Sequence, residues 1–162
     1  MLHVYPLKDT DRAVFEKLFK EYYAELDCAD DTAHLVDEYI IPDMLAGLLR
    51  VDLISDDGQI SGFVIYQIDD IVNEWNFKEG WGDIREIYII PSRRRRGLGR
   101  FLLYSAEMKL NEAGVKSAYC LPCAGAVPFF TACGYADSSE YCEDLDCTVF
   151  EKNNLKNGCH NE

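Results

Sequence analysis

The chain has 162 residues, enough for one domain with a sizeable core and no need of disulfide or metal staples. Hydrophobic residues make up 48% and charged residues 28%, a globular composition, and apolar stretches such as 84–90 are interrupted (Arg85, Glu86) far short of the ~18 residues of a membrane span. A formal charge of −13 argues against general affinity for nucleic acid and for a field that attracts cations.

Residues 2–6 alternate loosely and are predicted to form a short strand ending at Pro6. This N-terminal stretch has charges where a secretory apolar region would lie and no small-residue cleavage site after it, so the expected location is cytoplasmic, with no membrane partner. Asp9, Thr10 and Asp11 form a cluster suited to capping a helix, in which Val14, Phe15, Leu18, Phe19, Tyr22 and Leu26 recur at helical spacing. A second helix follows from Leu35, Tyr39, Met44, Leu45 and Leu48, with Pro42 disturbing its course. Residues 50–55 and 60–68 read as a hairpin, because Asp57-Gly58 supplies the positive φ that a tight turn needs. Residues 81–90 read as a long strand ended by Pro91. Then 98–113 read as a helix with Leu98, Leu102, Ala106, Leu110 and Ala113 on one face and Gly114 just past its end. A short strand (116–121), a short helix (126–133) closed by Gly134 and a final antiparallel pair (135–140 and 144–151) complete the order. The expectation is an α/β class, a mixed sheet with helices on its faces in the order β-α-α-β-β-β-α-β-α-β-β. It forms one domain over 1–152, with no internal repeat, and a polar tail over 153–162.

One window departs from the acidic average. Residues 85–100 hold six arginines against one glutamate, a net +5 that leaves −18 on the rest of a chain at −13. Its core is a strand, a loop rich in Arg and Gly, and a helix. Gly97 and Gly99 lack Cβ atoms where a backbone would approach a ligand, and the helix beginning near Leu98 directs unpaired N–H groups at the loop, an arrangement that binds phosphate or pyrophosphate. The alternative is that the glycines only make a turn and the arginines only solvate it. Two familiar phosphate loops fail on spacing: G-x-x-x-x-G-K-[ST] is absent, and Leu102 stands where G-x-G-x-x-G needs its last glycine.

The chain resembles the GNAT superfamily of N-acetyltransferases. Arg94-Arg95-Arg96-Gly97-Leu98-Gly99 matches the family's R/Q-x-x-G-x-G/A between strand and helix, and Ala126-Val127-Pro128-Phe129-Phe130-Thr131-Ala132-Cys133-Gly134-Tyr135 is similar to its later A-x-x-F-Y-x-x-x-G-F. The resemblance implies an acyl-CoA N-acyltransferase fold and direct transfer of acetyl from acetyl-coenzyme A to a primary amine of a small molecule or peptide. It implies a cofactor site in a V-shaped opening between strands 83–90 and 116–121. There the main chain of Arg95, Arg96, Gly97, Leu98, Gly99 and Arg100 would cradle the pyrophosphate, with Arg side chains, Arg94 included, near the phosphates. Tyr88, Ile89 and Ile90 would pair with the pantetheine arm and polarise the acetyl carbonyl. Cys123 and Phe130 would border the cofactor. Glu86 is the candidate general base, because family members carry an acid near this place; the alternative is a cross-strand ion pair with a neighbour. The family also includes many dimers, so a homodimer is compatible.

Two departures matter. Phe130 stands where the family often has the Tyr that protonates the leaving thiolate, and Cys123 where Asn is common. Protonation then falls to water, Tyr119, Tyr88 or Tyr135, or the chain has kept coenzyme A binding without transfer. Seven cysteines without an export signal leave at least one thiol free. Cys120 and Cys123 have C-x-x-C spacing but no second pair and no matching histidines, so they read as small apolar residues and no metal is expected. The run Arg93, Arg94, Arg95, Arg96 is the remaining alternative, a nucleic-acid patch, against which stand the surrounding acidity and the lack of a longer basic stripe. Asp27, Asp30, Asp31, Asp37, Glu38 and Asp43 lie on the acceptor side in the family, which suggests a cationic amine or simple solubility.

Overall fold

A computed structural model describes residues 1–28 and 30–156. Seven strands form one mixed sheet in the order β1-β2-β3-β4-β5-β7-β6. The strands are β1 (Leu2–Pro6), β2 (Arg50–Asp56), β3 (Gln59–Ile68), β4 (Gly82–Ile89), β5 (Ser117–Cys120), β6 (Ala136–Cys142) and β7 (Cys147–Asn153). The helices are α1 (Arg12–Glu25), α2 (Thr32–Leu35), α3 (Ile41–Leu45), α4 (Leu98–Glu112) and α5 (Val127–Ala132). By compactness the chain divides into two units, Met1–Tyr66 with Glu86–Leu103, and Gln67–Arg85 with Tyr104–Glu162. No helix among the described residues is long and apolar enough to cross a membrane.

The first unit is built on the hairpin. β2 and β3 pair antiparallel, Asp56 facing Gln59 across a turn in which Asp57 (φ 51°) and Gly58 (φ 81°) both take positive φ, as a two-residue hairpin requires. β1 adds antiparallel to β2. Leu53, Phe63 and Ile65 share one face of the hairpin and take the Phe15, Leu18 and Phe19 stripe of α1, with Phe15 edge-on to Phe63 at 5.3 Å. Val14 and Leu26, at the margins of that stripe, remain exposed. No side-chain hydrogen bond caps α1: a 3-10 turn over Asp9–Asp11 leads in, and its two carboxylates lie at the N-terminal, positive end of the helix, where negative charge is favourable.

The expected second helix is a composite. Asp31 caps α2 by accepting from the His34 N–H at 3.1 Å, and a π turn (Val36–Ile40) then separates α2 from α3. The cause is Pro42, second in α3: it lacks an N–H, and its ring excludes the carbonyl four residues back, so the preceding turn widens. The widened turn rotates the apolar face. Val36 and Ile40 become core, while Tyr39 and Leu45 are exposed.

In the second unit β4 and β5 run parallel, Gly82 facing Ala118 and Asp83 facing Tyr119; β5 pairs antiparallel with β7, and β7 with β6. Tyr119, Cys142 and Val149 form a small core with Trp81, Leu121 and Cys147. The last turn lies at 143–146, later than expected, because Asp146 tolerates the positive φ (51°) that closes it and Tyr141 donates to its carboxylate. Gly114 (φ 91°) ends α4, the Val115 N–H reaching the Leu110 carbonyl at 3.0 Å. β7 extends to Asn153 and Leu155 is buried, its N–H donating to the Lys116 carbonyl at 2.9 Å; the tail beyond residue 156 lies outside the described residues.

A buried carboxylate shapes the segment between β3 and β4. Asp69 accepts from the Phe77 N–H (2.9 Å), the Lys78 N–H (2.8 Å) and the Tyr119 hydroxyl (2.6 Å) on one oxygen, and from Gln67 Nε2 (2.9 Å) on the other.

Candidate functional site

In the first unit β4 delivers its last residues to a loop. The Tyr88 carbonyl packs over Gly62 so closely that a Cβ there would stand 2.2 Å from it, which is why this position is glycine. The Ile90 N–H donates to the Ser61 carbonyl (2.9 Å), and the Ile90 carbonyl accepts from the Arg93 N–H (3.0 Å). Pro91 stops the strand and opens a 3-10 turn, Pro91–Arg93. Arg94 is extended (φ −69°), Arg95 left-handed (φ 64°), Arg96 returns to negative φ, Gly97 is again left-handed (φ 81°), and Leu98 begins α4. Backbone that alternates in this way turns successive N–H groups toward one concave side, and a helix start such as that of α4 directs its first-turn N–H groups the same way. Leu98 is buried and anchors that turn, and the Phe101 N–H closes it on the Gly97 carbonyl at 3.0 Å.

The arginine run is mostly engaged from within the unit. Arg93 donates to Asp56 (2.9 Å) and Gln59 (2.8 Å), and Arg96 lies 3.0 Å from the same Asp56 oxygen. Arg94 donates to both oxygens of Glu25 (2.6 and 2.9 Å) and, through Nε, to the Ile89 carbonyl (2.8 Å), with its guanidinium 5.4 Å over the Tyr88 ring. The Arg94 side chain therefore serves the frame of the loop. Such internal pairing also removes most of the free basic surface a nucleic-acid patch would need.

Glu86 lies on the part of β4 that belongs to this unit and accepts a hydrogen bond from the Tyr22 hydroxyl. Arg85, next in sequence, donates to Gln67 at 3.2 Å. The Tyr22 ring leans on Tyr88 at 5.6 Å, and the Tyr88 hydroxyl donates to Glu25 at 2.9 Å; burial and then that bond hold the phenol up at about 12. One array thus joins Tyr22 to Glu86 and Tyr88 to Glu25 and Arg94. Tyr22 and Glu25, three residues apart on one face of α1, were not among the expected site residues. The available signal was a tyrosine in a stripe otherwise made of Phe and Leu, where a buried hydroxyl needs a partner.

The second unit carries the other expected residues. Cys123 is exposed at the start of a 3-10 turn, Ala124–Ala126, its carbonyl accepting from the Ala126 N–H at 2.9 Å. Phe130 is buried, its ring 5.2 Å from Phe129 and 5.4 Å from Tyr135. Burial pushes the phenols of Tyr119 and Tyr135 well up, so both are poor proton donors near neutral pH. Cys120 is buried and its thiol pushed up, whereas Cys123 is exposed; both are free thiols. Among the described residues no group of three His, Cys, Asp or Glu side chains is placed to hold a metal ion.

The sequence model of the acetyltransferase (GNAT) family matches residues 12–135. No curated protein matches the chain. Among solved structures, a GNAT-family acetyltransferase from Staphylococcus aureus Mu50 superposes with a TM-score of 0.74 at 16% identity, over 96% of this chain and 100% of that one. PaiA N-acetyltransferase from Thermoplasma acidophilum, in complex with coenzyme A, gives 0.71 at 14%, over 94% and 99%. A GNAT-family acetyltransferase from Brucella melitensis, in complex with acetyl-CoA, gives 0.67 at 16%, over 94% and 88%. At these identities the likeness is one of fold.

Proposed function

Because this chain belongs to the GNAT acetyltransferase family, we propose that it transfers the acetyl group of acetyl-coenzyme A directly to a primary amine. The observation that carries the reading is the sign-alternating backbone from Arg94 to Gly97 running into the first turn of α4. Backbone of this kind gathers N–H donors on one side, suits a phosphate or pyrophosphate, and needs no side chain to work. The solved relatives that hold coenzyme A or acetyl-CoA support the same substrate here.

In the proposed reaction the amine nitrogen attacks the thioester carbon, the carbonyl oxygen takes the negative charge, and the C–S bond then breaks to release coenzyme A thiolate. A backbone N–H at the end of β4, that of Tyr88 or Ile89, stabilises the oxyanion, since a fixed dipole needs no reorganisation as charge develops. Ile90 serves the scaffold instead, both its backbone groups being bonded within the unit. Glu86, held by the Tyr22 hydroxyl, takes the proton that the amine must lose. Water protonates the thiolate, because Phe130 has no proton to give and Tyr119 and Tyr135 hold theirs too tightly. That missing phenol also favours a second reading, a coenzyme A-binding protein without transfer. The acidic residues around α1 and α2 favour a cationic acceptor.

Calorimetric titration of acetyl-coenzyme A into the wild type and into a Gly97→Ala, Gly99→Ala variant tests the loop. Gly97 has open space around it but a φ of 81°, so alanine there acts through backbone strain alone. Binding by the wild type and loss in the variant are expected, followed by thiol release with amines. Tight binding with no release across amine classes establishes the second reading, and absence of binding by the wild type refutes both.

A further inference from the structure

We propose that Asp56 and Glu25 are positioning residues for the anion loop, holding its main chain in the shape that receives a pyrophosphate; this rests on the reading of the loop given above. Neither carboxylate belongs to the loop. Asp56 ends β2, at a hairpin turn whose geometry is already set by Asp57 and Gly58. Its side chain is only 7% exposed, yet one of its oxygens takes both Arg93 (2.9 Å) and Arg96 (3.0 Å). Glu25, the last residue of α1, takes Arg94 on both oxygens.

These anchors bracket the strained point. Arg95 sits at φ 64°, a conformation an ordinary side chain disfavours, and the residues on either side of it are the ones tied down. Four adjacent arginines also repel one another, and a free loop would splay to separate them. Two carboxylates engage three of the four, offset two of their charges and fix where they go. The N–H array is therefore preformed, and the ligand does not have to order it.

Two effects of removing Asp56 oppose each other. Loss of a negative charge beside an anion site favours binding, but Asp56 already faces two guanidinium groups, so little of its field is left to act on the ligand, and salt screens that remainder. Loss of the anchor leaves the ligand to order several residues, each costing about fivefold or more. Ordering wins, and more clearly as salt rises.

The test is the dissociation constant for coenzyme A, by calorimetry at low and moderate salt, with tryptic cleavage after Arg94, Arg95 and Arg96 as a readout that needs no ligand. Asp56→Asn should weaken binding by about tenfold at moderate salt and speed native-state cleavage of the loop by a similar factor. Glu25→Gln should act in the same direction. Asp52→Asn, which alters the carboxylate bonded to Tyr66 (2.8 Å), controls for stability alone: it should lower the melting temperature and leave coenzyme A affinity within twofold. A wild type that does not bind coenzyme A overturns the functional reading and the positioning role together. A wild type that binds, with Asp56→Asn binding within twofold and cleaved no faster, overturns the positioning role alone. Tighter binding by Asp56→Asn also overturns it, leaving Asp56 as a charge that merely opposes the anion.

Discussion

Gly62 gives the sharpest test of how the end of β4 is placed. An alanine Cβ at this position would stand 2.2 Å from the Tyr88 carbonyl oxygen, 2.6 Å from Ile89 Cδ1 and 3.2 Å from Ile89 Cα. A carbon and a carbonyl oxygen approach no closer than about 3.3 Å in comfort, so something must move by about 1 Å. The Ile89 methyl can rotate away; the Tyr88 carbonyl cannot, because it belongs to the strand. Overpacking of this kind costs about 1–3 kcal/mol, and the upper end applies where backbone is the obstacle. Replacing glycine also restricts the unfolded chain, which offsets about 0.4–1 kcal/mol. The net expectation is a loss of about 2 kcal/mol, which in a chain of this size lowers Tm by about 4–8 °C. Gly82→Ala is the internal comparison. Its Cβ would stand 2.6 Å from Leu110 Cδ1, the far end of a side chain, so its loss should be about half as large. Thermal and urea unfolding of both variants decide the matter. A Gly62→Ala protein as stable as the wild type, or less perturbed than Gly82→Ala, would refute the placement of Tyr88 over β3. Because the proposed oxyanion donor is Tyr88 or Ile89, the Gly62→Ala protein should also bind acetyl-coenzyme A more weakly by about tenfold.

Glu86→Gln should lower kcat/KM for any amine found by thiol release by about 10²–10⁴ while leaving the dissociation constant of coenzyme A unchanged; unaltered turnover across pH removes Glu86 from the chemistry. Asp69→Asn should cost about 3 kcal/mol in urea unfolding, since one side of an amide must face donors that both carboxylate oxygens now accept, and amide exchange over 70–81 should accelerate. The unfolded chain gives up its phenolic protons near pH 10, whereas folded Tyr88 holds its own to about 12 and Tyr66, Tyr119 and Tyr135 hold theirs more tightly still. Stability from these phenols is thus complete below pH 10 and falls as pH rises above 10, the Tyr88 share being lost through about 12 and the others later, and absorbance at 295 nm should show the buried phenols ionising only with unfolding.

Much of the fold was legible because its signals are local. Asp57-Gly58 dictates a hairpin turn by itself, Gly114 and Gly134 mark helix ends, the motif at 94–99 lies between a strand and a helix, and that at 126–135 spans the short helix. Element edges shifted where a residue's effect reaches beyond its own turn. Pro42 converted the preceding turn to a π turn and rotated the buried face from Tyr39 and Leu45 to Val36 and Ile40. The loop around Gly97 was legible for the same reason as the turns, since glycine encodes its positive φ of 81°. The partners of its arginines were not.

The sequence by itself determined the order of the elements and, through the resemblance of two motifs, the family, because these signals lie between near neighbours. Only the tertiary structure decided that Arg93 and Arg96 meet Asp56, 37 and 40 residues earlier, that Arg94 meets Glu25, and that Glu86 is held by Tyr22. The run Arg93, Arg94, Arg95, Arg96 presents four adjacent cations in the sequence. Long-range pairing engages three of them, because carboxylates distant in the chain are brought within hydrogen-bonding reach only when α1 and the hairpin have folded onto β4.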